Sequence, residues 1–173
     1  MNLRSSKTPP PPSGKLGILG FTPTRTTFLG PFGGGGGFPF QDDFLSSDER
    51  ILQVNLRTGN FVDAVQVVYE NASGVRRAMP VHGAGDKSDR EQTFTAHVVL
   101  DADEFITGIL GRSGAFLDSV FFTTNLGRYG PFGGNGGKPL EIRIPDDQRV
   151  IGFFGRAGNF VGALGILVSP RGF

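Results

Sequence analysis

Cysteine and tryptophan are absent from this chain of 173 residues, and histidine occurs twice. Without cysteine there are no disulfides, no thiolate zinc sites and no cysteine nucleophile. Two histidines leave little material for a metal-dependent catalytic site, so neither a metal nor a cofactor is expected. An excess of charge is also lacking: 17 Lys and Arg stand against 16 Asp and Glu, a net charge of +1. That balance gives no electrostatic footprint for nucleic acid or an acidic membrane surface. No apolar run approaches the roughly 20 residues of a membrane helix, and the N-terminus has no apolar export-signal core. The expectation is a soluble protein without membrane insertion, with the cytoplasm favoured. Asn71-Ala72-Ser73 fits a glycosylation acceptor, which would matter only in a secreted protein. With no tryptophan and two tyrosines, recognition by aromatic stacking has little to work with.

What the chain does contain is a phrase written three times: Arg57-Thr58-Gly59-Asn60-Phe61-Val62-Asp63, Arg112-Ser113-Gly114-Ala115-Phe116-Leu117-Asp118 and Arg156-Ala157-Gly158-Asn159-Phe160-Val161-Gly162. Each copy joins two alternating apolar runs, which predicts one strand-turn-strand corner built three times. A second element occurs twice, as Gly30-Pro31-Phe32-Gly33-Gly34-Gly35-Gly36-Gly37 and as Gly130-Pro131-Phe132-Gly133-Gly134-Asn135-Gly136-Gly137. Such runs read as loops chosen for positive φ or close backbone approach.

The domain plan has four parts. Residues 1–13 carry Pro9 to Pro12 and read as a disordered or polyproline lead. Residues 14–29 remain unassigned, 30–169 form one folded domain and 170–173 a short tail. Strand-type runs cover 51–56, 61–69, 94–100, 105–110, 116–124, 140–144, 150–154 and 160–168. With 28 glycines and no helical stripe, the fold class is all-β.

A period of two places Phe61, Asp63, Val65, Val67 and Tyr69 on one strand face, with Phe116, Asp118, Val120 and Phe122 in the matching places of the second copy. The third copy supplies Phe160, Gly162, Leu164, Ile166 and Val168. A buried unpaired carboxylate costs several kcal/mol, so the aspartates are expected at a hydrated rim. Three such units suggest a pseudo-threefold prism. The corner glycines are expected at positive φ, and the corner phenylalanines as packing residues. Asp63 and Asp118 have a competing structural use, capping turn amides or pairing with Arg57 and Arg112. His82 reads as a solvated loop residue, His97 as a structural strand residue, and Asp101, Asp103 and Glu104 as a solvated acidic turn. No defensible carboxylate pair for glycoside hydrolysis is present, so no enzyme is expected.

Together the Gly30-Pro31-Phe32-Gly33-Gly34 opening, the stretch Leu100 to Ile109 leading into Gly111-Arg112-Ser113-Gly114, the run Phe121 to Asn125 and the closing Val150 to Gly158 resemble the jacalin-related lectins. The resemblance implies a β-prism I fold of three four-stranded Greek-key sheets, with glycans or glycoproteins bound at one end. It also implies self-association, hence a homodimer expectation.

In sugar-binding members a G-x-x-x-D corner offers amides and a carboxylate, and a Gly-rich loop adds another amide. Sugar hydroxyls donate to a carboxylate and accept from amides, at roughly 1.5 to 3 kcal/mol per charged hydrogen bond. Carried over, the principal site combines Gly33 and Gly34 with Gly158, Asn159 and Phe160, where Gly162 has replaced the carboxylate. Gly114, Ala115, Phe116 and Asp118 would face Gly133 and Gly134, and this corner ranks first. Gly59, Asn60, Phe61 and Asp63 would face His82, Gly83, Ala84 and Gly85, and rank second. The resemblance further implies that an unprocessed lead before Gly30 goes with mannose or glucose rather than galactose. The alternative is a scaffold or protein-interaction module that keeps the prism without sugar binding.

Overall fold

The computed structural model describes residues 25–84 and 94–171. The proline-rich lead, residues 14–24 of the unassigned segment, Gly85 and the last two residues of the tail lie outside the described residues.

Every regular element among the described residues is a strand. Three long hairpins form the frame: β3 (Glu49–Thr58) with β4 (Val62–Asn71), β8 (Ile106–Ser113) with β9 (Leu117–Thr124), and β12 (Gln148–Ala157) with β13 (Val161–Pro170). Each turns at one copy of the repeated phrase. Shorter strands flank them: β1 (Thr27–Gly33), β2 (Phe38–Gln41), β5 (Arg76–Ala78), β6 (His82–Gly83), β7 (Ala96–Val99), β10 (Arg128–Gly133) and β11 (Lys138–Arg143).

The antiparallel sheets run β1-β13-β12-β2, β10-β9-β8-β11 and β5-β4-β3-β7, with β6 also paired to β4. In the last of these, β5 and β6 are two pieces of one outer strand broken at Pro80, which has no N–H to donate. The four-stranded plan therefore holds in all three sheets. β10 and β11 follow their hairpin in the chain, as do β5, β6 and β7. The first sheet is closed instead by β1 and β2 from the start of the chain. Register shifts between Leu29 and Phe32 and between Tyr129 and Phe132 put Pro31 and Pro131 at matching bulges in the outer strands.

The inner faces of the three hairpins make one core, with Val54, Val65, Val67, Tyr69, Ile109, Val120, Phe122, Phe153, Leu164, Ile166 and Val168 all buried in it. Each such side chain contributes on the order of 1.5 to 3 kcal/mol of transfer free energy. The period-two reading holds along the strands and breaks at the corners. There Val62, Leu117 and Val161 enter the core in place of Phe61, Phe116 and Phe160, because the register shifts opposite Arg57/Thr58, Arg112/Ser113 and Arg156/Ala157 leave Asp63, Asp118 and Gly162 as extra residues in the second strands, which shifts the phase. The glycine runs also differ from expectation. Residues 30–33 and 130–133 are the ends of β1 and β10, with Phe32, Gly33, Phe132 and Gly133 paired beyond the bulges, and only 34–37 and 134–137 are loops.

Candidate functional site

The three corners gather at one end of the prism. Phe61, Phe116 and Phe160 meet there with ring centroids 5.0 to 5.4 Å apart, each half-buried, and together they plug the axis between the hairpins. Edge-on and tilted packing at these separations suits the ring quadrupoles.

Each corner is braced by a loop from its own sheet, as the pairing of loops and corners from sequence required. Gly34 N–H donates to Gly162 O at 2.9 Å, Gly134 N–H to Asp118 O at 2.8 Å, and Ala84 N–H to Asp63 O at 2.7 Å. The residue before each donor is Gly33, Gly133 or Gly83, at φ +138°, +118° and +96°. A Cβ there would run into the carbonyl of that same fifth corner residue, so only glycine permits the brace. Positive φ thus belongs to the loops. Gly59, Gly114 and Gly158, expected at positive φ, lie outside that region; each instead donates its N–H to the phenylalanine carbonyl two residues on. The loops also reach across to the next repeat: Gly34 lies against the Ala115 carbonyl and Gly134 against that of Asn60.

The arginine that opens each phrase has a role the sequence reading missed. Arg112 donates from Nε to Gly136 O at 2.9 Å and from Nη2 to Gly137 O at 2.7 Å. Arg156 does the same with Gly36 O and Gly37 O, at 3.3 and 2.8 Å. Arg57 alone pairs with its aspartate, at 4.0 Å from Asp63. The available signal was an arginine kept at the same offset in a phrase whose last residue varies.

The three corners differ in access. Asp118 is 5% exposed, and Gly136 and Gly137 press so closely on its carboxylate that a Cβ on either would sit 2.6 or 2.5 Å from its oxygens. The hydrated rim expected for it is replaced by a loop that Arg112 pins down. Asp63 keeps 24% of its side-chain surface, beside a hollow of about 190 Å³ shared with Arg57, Ala84, Asn159 and Phe160. Burial pushes its carboxyl above the ordinary value, with Arg57 partly opposing the shift. The Gly162 corner is open, and a cleft of about 670 Å³ runs from Gly36 and Gly37 past Gly158, Asn159 and Gly162 to Phe38 and His82.

Two residues in that cleft depart from the sequence reading. Phe38 is 80% exposed, an aromatic face at the rim where little stacking material was expected. His82 is not a solvated loop residue. It lies in β6 with 13% of its side chain exposed, stacked on Phe40 at 3.7 Å between ring centroids, and its Nε2 is 2.6 Å from Asp42 Oδ1. Asp42 is 1% exposed in its side chain, and Oδ2 has no hydrogen-bond partner, so His82 is the group that makes its burial tolerable. The two stand 40 positions apart, with no short-range motif to join them.

Elsewhere, Glu104 is buried rather than solvated. It accepts hydrogen bonds from Thr124 Oγ1 at 2.7 Å, Tyr129 Oη at 2.9 and 3.0 Å, and the Asp101 amide at 3.0 Å. Burial works against its charge, and these bonds, Thr124 foremost, outweigh it and hold the carboxyl below its usual range. His97 sits on the exposed face of β7 against Asn55. Among the described residues no group of three potential metal ligands converges.

Residues 29–167 match the family model of the jacalin-like lectin domain. The jacalin-related lectin Calsepa of Calystegia sepium is 33% identical over 144 residues, covering 80% of this chain and 92% of that protein. A mannose/glucose-specific lectin of Parkia pendula is 32% identical over 150 residues and covers 82% of this chain; the chain spans 32% of the length of that lectin. Among solved structures, a mannose-specific jacalin-related lectin from Morus nigra in complex with mannose superposes with a TM-score of 0.72 at 29% identity, over 84% of this chain and 96% of that one. Calsepa in complex with a biantennary N-glycan gives a TM-score of 0.70 at 28% identity, over 85% and 98%.

Proposed function

This chain belongs to the jacalin-like lectin family, whose members bind carbohydrate without catalysis, and from that premise we infer that it binds mannose- or glucose-type glycans at the corner end of its prism. The observation that carries the reading is the open cleft of the Gly162 corner. It is lined by the loop and corner glycines Gly36, Gly37, Gly158 and Gly162, with the exposed Asn159 and Phe38 and the half-buried His82 beside them. Small residues let a sugar ring approach amides and carbonyls. Asn159 offers both a donor and an acceptor, and the Phe38 ring can cover the apolar face of a pyranose.

Access reorders the corners relative to the sequence expectation. The Gly162 cleft comes first, although it lacks a carboxylate. The Asp63 corner comes second, since it combines a partly exposed carboxylate with a small hollow. The Asp118 corner comes last, because its loop covers the acid. Each site is shallow and noncatalytic, with monosaccharide dissociation constants near millimolar, about 4 kcal/mol. Two sites on one rigid body raise avidity for branched glycans where the spacing lets both engage. The preference for mannose or glucose is supported by the sugars named for the relatives from Parkia and Morus.

The test is a titration of the full chain with methyl α-mannoside followed by amide chemical shifts, alongside a glycan array. Saturable shifts at Gly36, Gly158 and Asn159, reduced by F38A and N159A and unchanged by D118A, are expected. No glycan signal from the unmutated chain in either experiment would sink the reading and leave the scaffold alternative.

A further inference from the structure

At the end of the prism remote from the corners the three repeats converge again. Ile51, Ile106 and Val150 lie near the starts of β3, β8 and β12, each eight residues before its corner glycine, Gly59, Gly114 or Gly158. The residues preceding them are Arg50, Phe105 and Arg149. These six threefold-related positions line one cavity of about 290 Å³, joined by Leu45 and Arg171. The three aliphatic side chains are buried, so the cavity floor is apolar.

Its charges are not balanced. Two acids reach the wall, and both are held by other partners: Glu49 by Arg77 at 2.8 Å, and Glu104 by Thr124, Tyr129 and the Asp101 amide. Arg50 is matched by Glu70 at 3.1 Å and by the carbonyls of Leu100 and Asp101. Arg171 lies 4.1 Å over the Phe105 ring and donates from Nε to Gln148 O at 2.9 Å, with no carboxylate partner among the described residues. The Arg149 side chain makes no hydrogen bond or ion pair among the described residues, and its Nε is buried without an acceptor. Arg149 is half-buried, and the buried Nε–H left without an acceptor costs free energy; an oxyanion in the adjoining space would relieve that cost while accepting from the planar fork of donors.

We propose that this axial cavity binds a small organic anion, a carboxylate or sulfate ester on an apolar body, with its charged head between Arg149 and Arg171 and its body against Ile51, Ile106 and Val150. The volume lies near the lower limit of small-molecule pockets, about 300 Å³, which suits a body of one ring. The site is separate from the corner end, so it does not depend on the glycan reading.

Phenyl sulfate and benzoate serve as probes, with benzyl alcohol and inorganic sulfate as controls, titrated into the full chain. The readouts are the Nε–H resonance of Arg149 and the methyl resonances of Ile51, Ile106 and Val150. Expected is a saturable shift with an organic anion, at least tenfold weaker binding of inorganic sulfate and none of benzyl alcohol. R149Q should weaken the anion at least tenfold. R171Q alters an exposed side chain, leaves Tm in place, and should also weaken it several-fold. The response to methyl α-mannoside should stay as in the unmutated chain. The proposal fails if neither organic anion saturates, if inorganic sulfate binds as well as they do, or if R171Q binds them unchanged.

Discussion

Arg156 donates from Nη2 to the carbonyl oxygen of Gly37 at 2.8 Å, across 119 positions of the chain. The last corner thereby pins the loop between the first two strands, and the floor of the open cleft is held by a residue that need not touch a ligand. R156A should loosen residues 34–37, weaken methyl α-mannoside at this cleft several-fold and cost about 1 kcal/mol of stability. Amide exchange at Gly36 and Gly37 and a urea titration measure the two effects. Unchanged exchange would show that the main-chain brace from Gly34 to Gly162 suffices alone.

Gly162 is where the open corner departs from the other two. It has no positive φ, and a Cβ there would lie 3.1 Å from Gly36 O, a tight but relievable contact. G162D should therefore fold and supply an acceptor to the cleft, raising mannoside affinity about tenfold for one charged hydrogen bond. Calorimetric titration of the variant checks this. A loss of affinity would mean that the added carboxylate is drawn down by the loop, as Asp118 is.

His82 and Asp42 should couple strongly. H82A leaves a buried carboxylate without its partner and is expected to cost about 3 kcal/mol, while the double variant with D42N should cost less than the sum of the two single changes. Chemical denaturation of the four proteins supplies the cycle. Strict additivity would make the 2.6 Å contact energetically idle.

Glu49 sets an acid limit on stability. Hydrogen bonding from Arg77 holds its carboxyl at about 2, against an ordinary 4.5, with burial opposing the shift. The folded state thus prefers the charged form. The resulting stabilisation is present above about pH 4.5 and is lost as pH falls towards about 2. Glu104, also held low, acts in the same direction. R77M should flatten this part of the stability profile, which denaturation midpoints between pH 5 and 2.5 would record.

Asp63 responds with the opposite sign of shift. Its carboxyl lies above the ordinary 3.8, so it takes up a proton at a higher pH than a free aspartate. Glycan contacts that need its charge should weaken on acidification before those at the Gly162 cleft, which has no carboxylate at the fifth position. Chemical shifts at Ala84 and Asn60 during a sugar titration at falling pH separate the two corners. Parallel loss at both would tie them to a common group.

Much of the architecture was legible because the corner phrase is local: an arginine, a glycine, a phenylalanine and the apolar alternation around them lie within a few residues. The loops that brace the corners were legible for the same reason. Five strands were not. β1, β2 and β10 are rich in glycine, proline or both, and β5 and β6 have only three and two residues. Each is held by pairing with a long neighbour rather than by its own propensity. The site was harder, because access is a property of what lies over a residue. Asp63 and Asp118 read alike in sequence, and they differ through Arg112, which holds Gly136 and Gly137, and Arg57, which turns to its own aspartate. The pair of His82 and Asp42 joins distant segments and leaves no periodic trace.

The first sheet takes β1 and β2 from the beginning of the described chain and β12 and β13 from its end. During synthesis the other two sheets can assemble as they emerge, but this one must wait for the ribosome to release β13. Until then β1 and β2 have no partner strands, and the open cleft does not exist. A chain truncated before residue 161 should accordingly hold two sheets, engage chaperones through its early strands and lack whatever ligand the third corner takes.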